Sequence, residues 1–475
     1  MILSKLSSAD AFKSGYFFGF FLNLFCIYWL AQVTLPGLIG AIFFLATYYA
    51  ITFWLFNKVY RFNKLYGLIS LPLLWVGMEF SRTVTEYAFP WSAIGYSQAY
   101  YLKIMQITSV ISVHGLSFLI VLVNVLLWNL LHKKLLPERK LTSLLVSIGI
   151  FVGLISYGWI TIPKYPIEGD TDVVLLQGSV PIDVKWKQGN AMHSFNLYDS
   201  LANSAADTTK TKLFVWPETS APTYLTHNKG YESIIAQTAR TSHGYHLVGA
   251  LGASSDVKAQ YHYNSAYLFN PDGILEERYD KLKLVPFSEH VPYQRYFPFL
   301  HRDFVEKYLD SFLKKYKVQW WSDFATGDSI KLFTYDEKYF SVLICFESTF
   351  PDFVRQTVLK GSQFVVGITN DTWFGESVGI YMHSRIFLTR CIENRIWGVR
   401  VANSGLTYVC DGYGRIRADL QPYEVAALQS KVNLLDEKSV FTRYGDIIGN
   451  ISFLFTLSLL GIFILIWIKE KIFRS

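Results

Sequence analysis

The chain has 475 residues, of which 51% are hydrophobic, 17% aromatic and only 17% charged. Soluble globular domains carry about 25% charged residues, so with a positive mean hydropathy the apolar excess must lie in lipid or in an unusually large core. The net charge of +7 raises nucleic acid as a partner, but much of the Lys and Arg lies beside apolar segments, where it reads as a membrane topology signal, and no nucleic acid is expected.

In chain order, near-continuous apolar runs cover Gly15–Val33, Leu38–Phe56, Leu65–Phe80, Ile104–Leu131 and Leu141–Ile162, and a last one covers Ile447–Ile468. A membrane-spanning helix needs about 20 such residues. Leu65–Phe80 is short and contains Pro72, which makes it the weakest of the six. No small-residue cleavage site follows the first run, so no cleavable signal peptide is expected. Basic residues flank alternate connections: Lys5 and Lys13, then Lys58, Arg61 and Lys64, then Lys133, Lys134, Arg139 and Lys140, and finally Lys469, Lys471 and Arg474. Placing all four on the cytoplasmic side puts Pro163–Asp446 outside the cytoplasm. The expected organisation is a helical membrane domain over 1–163 with about five spans, a catalytic domain over 164–445, and a C-terminal span with a short tail over 446–475.

The stretch between the last two spans has a different texture. Short β-rich runs appear at Val173–Gln177, Leu213–Trp216, Leu247–Leu251, Ala266–Phe269, Phe340–Ile344, Phe364–Ile368 and Leu406–Cys410, with helical patterns such as Ala191–Ala205 and Tyr231–Thr241 between several of them. Alternating strands and helices predict a layered α/β domain.

Three strand ends there deliver reactive side chains. Val215-Trp216-Pro217-Glu218 sets a carboxylate just past an apolar strand; alone, Glu218 reads equally as a helix cap or turn acid. Tyr279-Asp280-Lys281 opens a charged segment that could be a solvated loop. Ser341–Ile344 runs into Cys345, Phe346 and Glu347, and a free cysteine is often only a small core residue. Taken together they make a site. A thiol is mostly protonated at neutral pH and its thiolate is the nucleophile, so it needs a base and a donor to the oxyanion formed on attack. Glu218 can be the base and Lys281 can supply positive charge. His262, His290 and His383 lack an obvious partner, and Cys26, Cys345, Cys391 and Cys410 show no CxxC or zinc spacing, so neither a disulfide framework nor a metal or other cofactor is expected.

Glu, Lys and Cys in WPE, YDK and ICFE contexts resemble the nitrilase superfamily. Leu176–Pro181 with Lys185-Trp186, Leu284–Glu289, Thr369–Gly375, and Arg395, Arg400, Asn403 and Gly405 resemble the apolipoprotein N-acyltransferase family. So do Phe89-Pro90-Trp91, Gly95–Gln98, and Gly115–Ser117 before Asn124 in the apolar part. The resemblance implies an αββα nitrilase-like sandwich joined to an all-α transmembrane domain in a bacterial inner membrane, with the sandwich in the periplasm. It also implies a two-step reaction. Cys345 takes an acyl chain from a phospholipid as a thioester and passes it to the α-amino group of a lipoprotein's diacylglyceryl-cysteine. Glu218 matches the base and Lys281 the oxyanion-stabilising lysine; Trp186, Glu289 and Glu347 match residues that line or support the site. A monomer is expected. Three departures stand out: two further apolar segments usual in the family do not precede the first run, Ser288 replaces a glycine, and Phe346 stands where tyrosine is common.

The runner-up is a membrane-tethered amidase or nitrilase-type hydrolase, which would use the same three residues but gains nothing from six spans. A transporter or scaffold is a third possibility. It is disfavoured by the scarcity of ionisable residues within the runs, where only Glu79, with Arg82 near enough to pair, and His114 stand. Lipid contact by the catalytic domain is expected from the aromatic segments Tyr293–Phe299 and Phe312–Trp321.

Overall fold

The computed structural model describes residues 5–131, 139–187, 189–207, 209–254, 261–297, 307–308, 323–435 and 437–473. The chain divides into two units, Met1–Ile162 with Tyr444–Ser475, and Pro163–Arg443. Of the segments expected to meet lipid, Phe312–Trp321 and the end of Tyr293–Phe299 lie outside the described residues.

The first unit is helical. Its long helices are α1 (Ser8–Ile27), α2 (Leu35–Phe62), α3 (Lys64–Ser81), α4 (Thr108–Leu131), α5 (Lys140–Thr161) and α10 (Ile447–Phe473). The first three begin on side-chain caps: Ser7, Thr34 and Asn63 accept hydrogen bonds from first-turn backbone N–H groups, which have no partner within the helix. Where α1 meets α2, a Cβ at Gly19 would lie 2.9 Å from the Tyr49 Cβ, so the absence of a side chain there permits the close backbone approach typical of membrane helices.

Among the described residues, five helical segments are long and apolar enough to cross a membrane: Ser8–Gln32, Leu35–Phe62, Thr108–Leu131, Lys140–Thr161 and Ile447–Ile472. The weakest run does form a helix, α3, but it falls outside this group. It carries Lys64 and Glu79 within 18 residues, and it packs against α2, α4 and α10, so protein rather than lipid can surround its polar groups. Glu79 and Arg82 do not pair with each other. Glu79 accepts hydrogen bonds from Trp75 Nε1 and Ile94 N, both at 2.8 Å, while Arg82 donates to Ser92 and lies over the rings of Tyr48 and Tyr49. His114, just past a break in α4 at Ser112 (φ 62°), has Nδ1 2.5 Å from the Asp446 carboxylate at the head of α10.

The second unit is an αββα sandwich. One sheet runs in the order β13 (Ala426–Val432), β1 (Thr171–Gln177), β2 (Leu213–Val215), β4 (Tyr245–Ala253), β5 (His262–Phe269), β6 (Leu275–Asp280), with β3 (Ala221–Tyr224) also on β4. The other runs β12 (Ile416–Leu420), β11 (Thr407–Cys410), β10 (Trp397–Ala402), β9 (Phe364–Thr369), β8 (Lys338–Ile344), β7 (Phe333–Tyr335). Strands β1, β2 and β4 are mutually parallel, as are β8, β9 and β10; the outer pairings are antiparallel. Alternate residues of the two sheets, among them Val173, Leu175, Val215, Val342, Ile344, Val366 and Val399, interlock between them, as the two-residue period of a strand dictates. The outer face of the first sheet is covered by α6 (Ala191–Ser204) and α7 (Lys229–Ser242) through Phe195, Tyr198, Ile235 and Ala239. Helices α8 (Pro351–Leu359) and α9 (Val378–Asn394) pack on the second sheet.

Candidate active site

The site gathers where strands from both sheets end. Strand β2 stops at Val215, and Trp216 then continues the pairing, its N–H donating to the Leu247 carbonyl at 2.8 Å. The buried indole stacks on Tyr198 and donates to His246 Nδ1. The chain then turns through Pro217 and Glu218 to Thr219, held at a left-handed φ of 48°. This turn lies directly on β4: a Cβ at Gly249 would meet the Pro217 carbonyl and come within 2.8 Å of the Glu218 Cα, so only glycine admits it.

Glu218 is buried. Its Oε1 accepts from Asn264 Nδ2 at 2.7 Å and its Oε2 from the Asn370 N–H at 2.8 Å. Lys281, just beyond β6, is also buried, with Nζ 2.8 Å from Glu289 Oε1 and 3.6 Å from Glu218 Oε1. Asn264 Nδ2 reaches Glu289 Oε1 as well, at 3.2 Å, so a single amide on β5 joins the two carboxylates that flank the lysine. Burial opposes the Lys281 ammonium, but Glu289 and Glu218 outweigh it and raise its pKa above the usual lysine value. The amine is therefore a fixed positive charge.

Cys345 follows β8 directly and sits at a left-handed φ of 52°, a conformation that non-glycine residues hold only where the surroundings impose it. Glu347 supplies one restraint. Its Oε2 accepts from Ile344 N at 2.7 Å, and its Oε1 accepts from Tyr279 Oη and Leu282 N, both at 2.6 Å. One carboxylate thereby ties the cysteine turn to the segment carrying Lys281. Burial lifts the Glu347 carboxyl to about 7 against these donors. Burial also pushes the Cys345 thiol well up, and Glu218 adds to the rise while Lys281 works the other way; at rest the sulfur is a neutral thiol.

The remaining sequence-derived candidates are less uniform. Glu289 joins the cluster, with Oε2 accepting from Val285 N at 2.9 Å. Phe346 is buried edge-on to Phe350, with ring centroids 5.1 Å apart. Trp186 is 44% exposed, whereas its neighbour Lys185 turns inward. Ser288, which replaces a glycine, is not among the residues with positive φ; Phe287 is, at 61°, so the backbone at 288 makes no demand for glycine.

Several site residues escaped single-sequence reasoning. Asn264 lies in a strand with nothing to distinguish it from an ordinary polar residue. Lys185 is buried, donating to the Glu218 carbonyl at 3.2 Å and Thr219 Oγ1 at 2.7 Å; burial lowers its pKa to about 7. His383 on α9, for which no partner was apparent, has Nδ1 2.9 Å from Asp371 Oδ1 and Nε2 3.1 Å from the Cys345 carbonyl oxygen. Through Nε2 it meets the backbone of Cys345. Among the described residues, no group of three or more His, Cys, Asp or Glu is placed to hold a metal ion.

Comparison with known proteins follows the same division. Residues 1–126 match the apolipoprotein N-acyltransferase N-terminal domain, and residues 175–436 match the carbon-nitrogen hydrolase family. An apolipoprotein N-acyltransferase of Geobacter metallireducens is 32% identical over 451 residues, spanning 92% of this chain and 84% of that protein. Those of Chlorobaculum tepidum and Rickettsia prowazekii are 27% and 29% identical, over 90% and 94% of this chain and 83% and 88% of their own lengths. A solved amidase from Nesterenkonia sp. aligns with 57% of the chain and 93% of its own at 17% identity and a TM-score of 0.40, too distant to add to these. Identity of this extent to a full-length relative, together with the two domain matches, means that the chain belongs to the apolipoprotein N-acyltransferase family, with a carbon-nitrogen hydrolase domain as its α/β part.

Proposed function

We propose that the chain acylates lipoproteins in two steps, with Cys345 carrying the acyl group between them. The observation that carries this reading is the buried cluster of Lys281 with Glu218 and Glu289 on Asn264, in a family whose members are named for N-acyl transfer. In the first step Glu218 accepts the thiol proton as sulfur attacks the ester carbonyl of a membrane phospholipid. The ester C–O bond breaks, a lysophospholipid leaves with the returned proton, and the acyl chain remains as a thioester. In the second step the α-amino group of a diacylglyceryl-cysteine attacks the thioester, Glu218 takes the amine proton, and the amide forms as the thiol is restored. Lys281 balances the oxyanion in both steps, and its raised pKa keeps it charged throughout. The raised thiol pKa supports a base acting at the moment of attack rather than a standing thiolate.

The domain limits 1–163, 164–445 and 446–475, a bacterial inner membrane, a periplasmic catalytic unit and a monomer complete the proposal. The five span-length helices and the flanking basic residues support the membrane placement and its orientation. An alkaline phosphatase fusion at Asp256 is then active; an inactive fusion there with an active one at Lys134 overturns the topology.

The decisive experiment supplies phospholipid without an amine acceptor and seeks an acyl mass on the Cys345 peptide. The expected result is a trapped thioester that a diacylglyceryl peptide discharges. A thioester that passes only to water favours the hydrolase reading, and acyl transfer without any acylated Cys345 overturns the covalent route.

A further inference from the structure

The left-handed backbone at Cys345 has a second restraint, built from residues that have no part in the proposed proton transfers. The carbonyl of Cys345 receives two contacts: Ser348 Oγ at 2.9 Å and His383 Nε2 at 3.1 Å. A carbonyl oxygen only accepts, so Nε2 serves the Cys345 carbonyl when it carries a hydrogen, and Ser348 Oγ, 3.2 Å from the same nitrogen, links the carbonyl's two partners. The other face of the ring is fixed in turn. Nδ1 lies 2.9 Å from Asp371 Oδ1 and 3.2 Å from Arg400 Nη2, and Arg400 Nη2 donates to Asp371 Oδ2 at 2.6 Å. Thr369 Oγ1 holds Asp371 Oδ1 at 2.8 Å. His383, Asp371 and Arg400 are all almost fully buried. Gly405 lets the carboxylate sit there, since a Cβ at that position would lie 2.9 Å from the Asp371 Cβ. The three residues come from α9, the turn after β9, and β10, so three separate segments converge on one backbone oxygen.

We infer that His383, oriented by Asp371 and Arg400, is a positioning residue for Cys345: it holds the nucleophile's carbonyl, and through it the left-handed turn that aims the sulfur. The physical need is plain. A left-handed non-glycine residue relaxes unless its surroundings over-determine it, and a displacement of about 1 Å at a reacting atom can cost roughly 100-fold in rate. Glu347 holds the turn at the Ile344 N–H, and the buried, oriented imidazole holds it at the Cys345 carbonyl.

The inference rests on Cys345 being the acyl carrier, and the test separates the two. It uses the full chain in phosphatidylethanolamine–phosphatidylglycerol mixed micelles and measures the rate of thioester formation. Two near-isosteric variants are compared. His383→Gln can bring an amide N–H close to the place of Nε2, whereas His383→Asn can mimic only Nδ1. The expected result is a loss of about 100-fold in acylation for His383→Asn, recovery of at least about tenfold in His383→Gln, and an unchanged apparent KM for phospholipid. Ser348→Ala, which removes the second donor, loses a few-fold. Equal rates in the Gln and Asn variants overturn the inference, because reach to the carbonyl then does not matter. Should the Asn variant fail to fold, equal rates in His383→Gln and His383→Ala overturn it as well. Cys345→Ala is run beside them. Retained acyl transfer in that variant sinks the acyl-carrier reading itself, whatever the His383 variants do.

Discussion

The strand end that carries Glu218 and the one that carries Cys345 belong to different sheets, yet they are built alike. Each places a non-glycine residue in the left-handed region, Thr219 at 48° beside Glu218 and Cys345 itself at 52°. In each, the carbonyl of the functional residue meets a buried nitrogen from a distant segment: Lys185 Nζ for Glu218 and His383 Nε2 for Cys345. The restraints differ in how they are balanced. His383 is backed by an ion pair of Asp371 with Arg400, and Arg400 and His383 overcome the burial that would otherwise raise the Asp371 pKa. Lys185 donates to the Glu218 carbonyl and the Thr219 hydroxyl, and burial dominates its pKa over the opposing charge of Glu218. A sheet edge can deliver a side chain to a site, but aiming it takes side-chain contacts at the turn, and those contacts are electrostatically costly in one case and compensated in the other.

The largest expected effect breaks the comparison at its functional ends. Cys345→Ala abolishes both half-reactions, and Cys345→Ser is almost as poor because a hydroxyl lacks thiolate nucleophilicity; Glu218→Gln keeps the shape, removes the basicity and accumulates no thioester on the Cys345 peptide by mass spectrometry. Next in size is the charge that serves both ends. Removing Lys281 costs about 100- to 1000-fold in acylation rate, the usual loss for one oxyanion donor, and Lys281→Arg recovers little because its planar fork does not fit an ammonium's place. Asn264→Ala, which leaves Glu218 and Glu289 short of a donor, loses roughly 10- to 100-fold in the same assay, as expected for hydrogen bonds of about 1.5–3 kcal/mol to charged groups.

The contrast between the two restraints sharpens with pH. Lys185 has a folded pKa of about 7 against an ordinary value of 10.5. Between those values the unfolded chain binds the extra proton, so folding stability rises with pH across that window, and below about 7 the burial cost is felt in full. The melting temperature of the wild type relative to Lys185→Met is expected to climb from pH 7 towards pH 10; a flat difference would show that the amine is not held in its neutral form. The smallest effect is a control. Cys391→Ala and Cys410→Ala alter buried thiols away from the cluster and leave turnover within about twofold while costing roughly 1 kcal/mol of stability.

Much of the helical unit was legible in the sequence because lipid imposes a simple rule: spanning segments must be long and apolar. Helix α3 falls short of the rule because it carries Lys64 and Glu79 in a short segment that packs on three other helices. In the α/β unit, the apolar strands β1, β4, β8 and β9 were readable. Strand β6, with the sequence Leu275-Glu276-Glu277-Arg278-Tyr279-Asp280, was not among the β-rich runs, although a strand end was expected at Tyr279-Asp280-Lys281. Only its pairing with β5 makes it a strand, and a half-solvated edge tolerates the charges. Strand β10 hides Arg400 in its centre, which no hydrophobic pattern anticipates, since the charge is admissible only beside Asp371.

What the sequence determined by itself was chemistry and its neighbourhood: a cysteine, a carboxylate and a lysine each at the end of a strand, in motifs that resemble one family. These are local properties, set by which residues follow an apolar run. Tertiary structure decided what restrains them. Asn264 between two carboxylates, Lys185 on the Glu218 carbonyl, Glu347 across two segments and His383 on the Cys345 carbonyl all depend on contacts between residues far apart in the chain. Polar residues of those types are common on any surface, and they acquire meaning only when burial removes water and leaves each donor the acceptors that the fold brings to it.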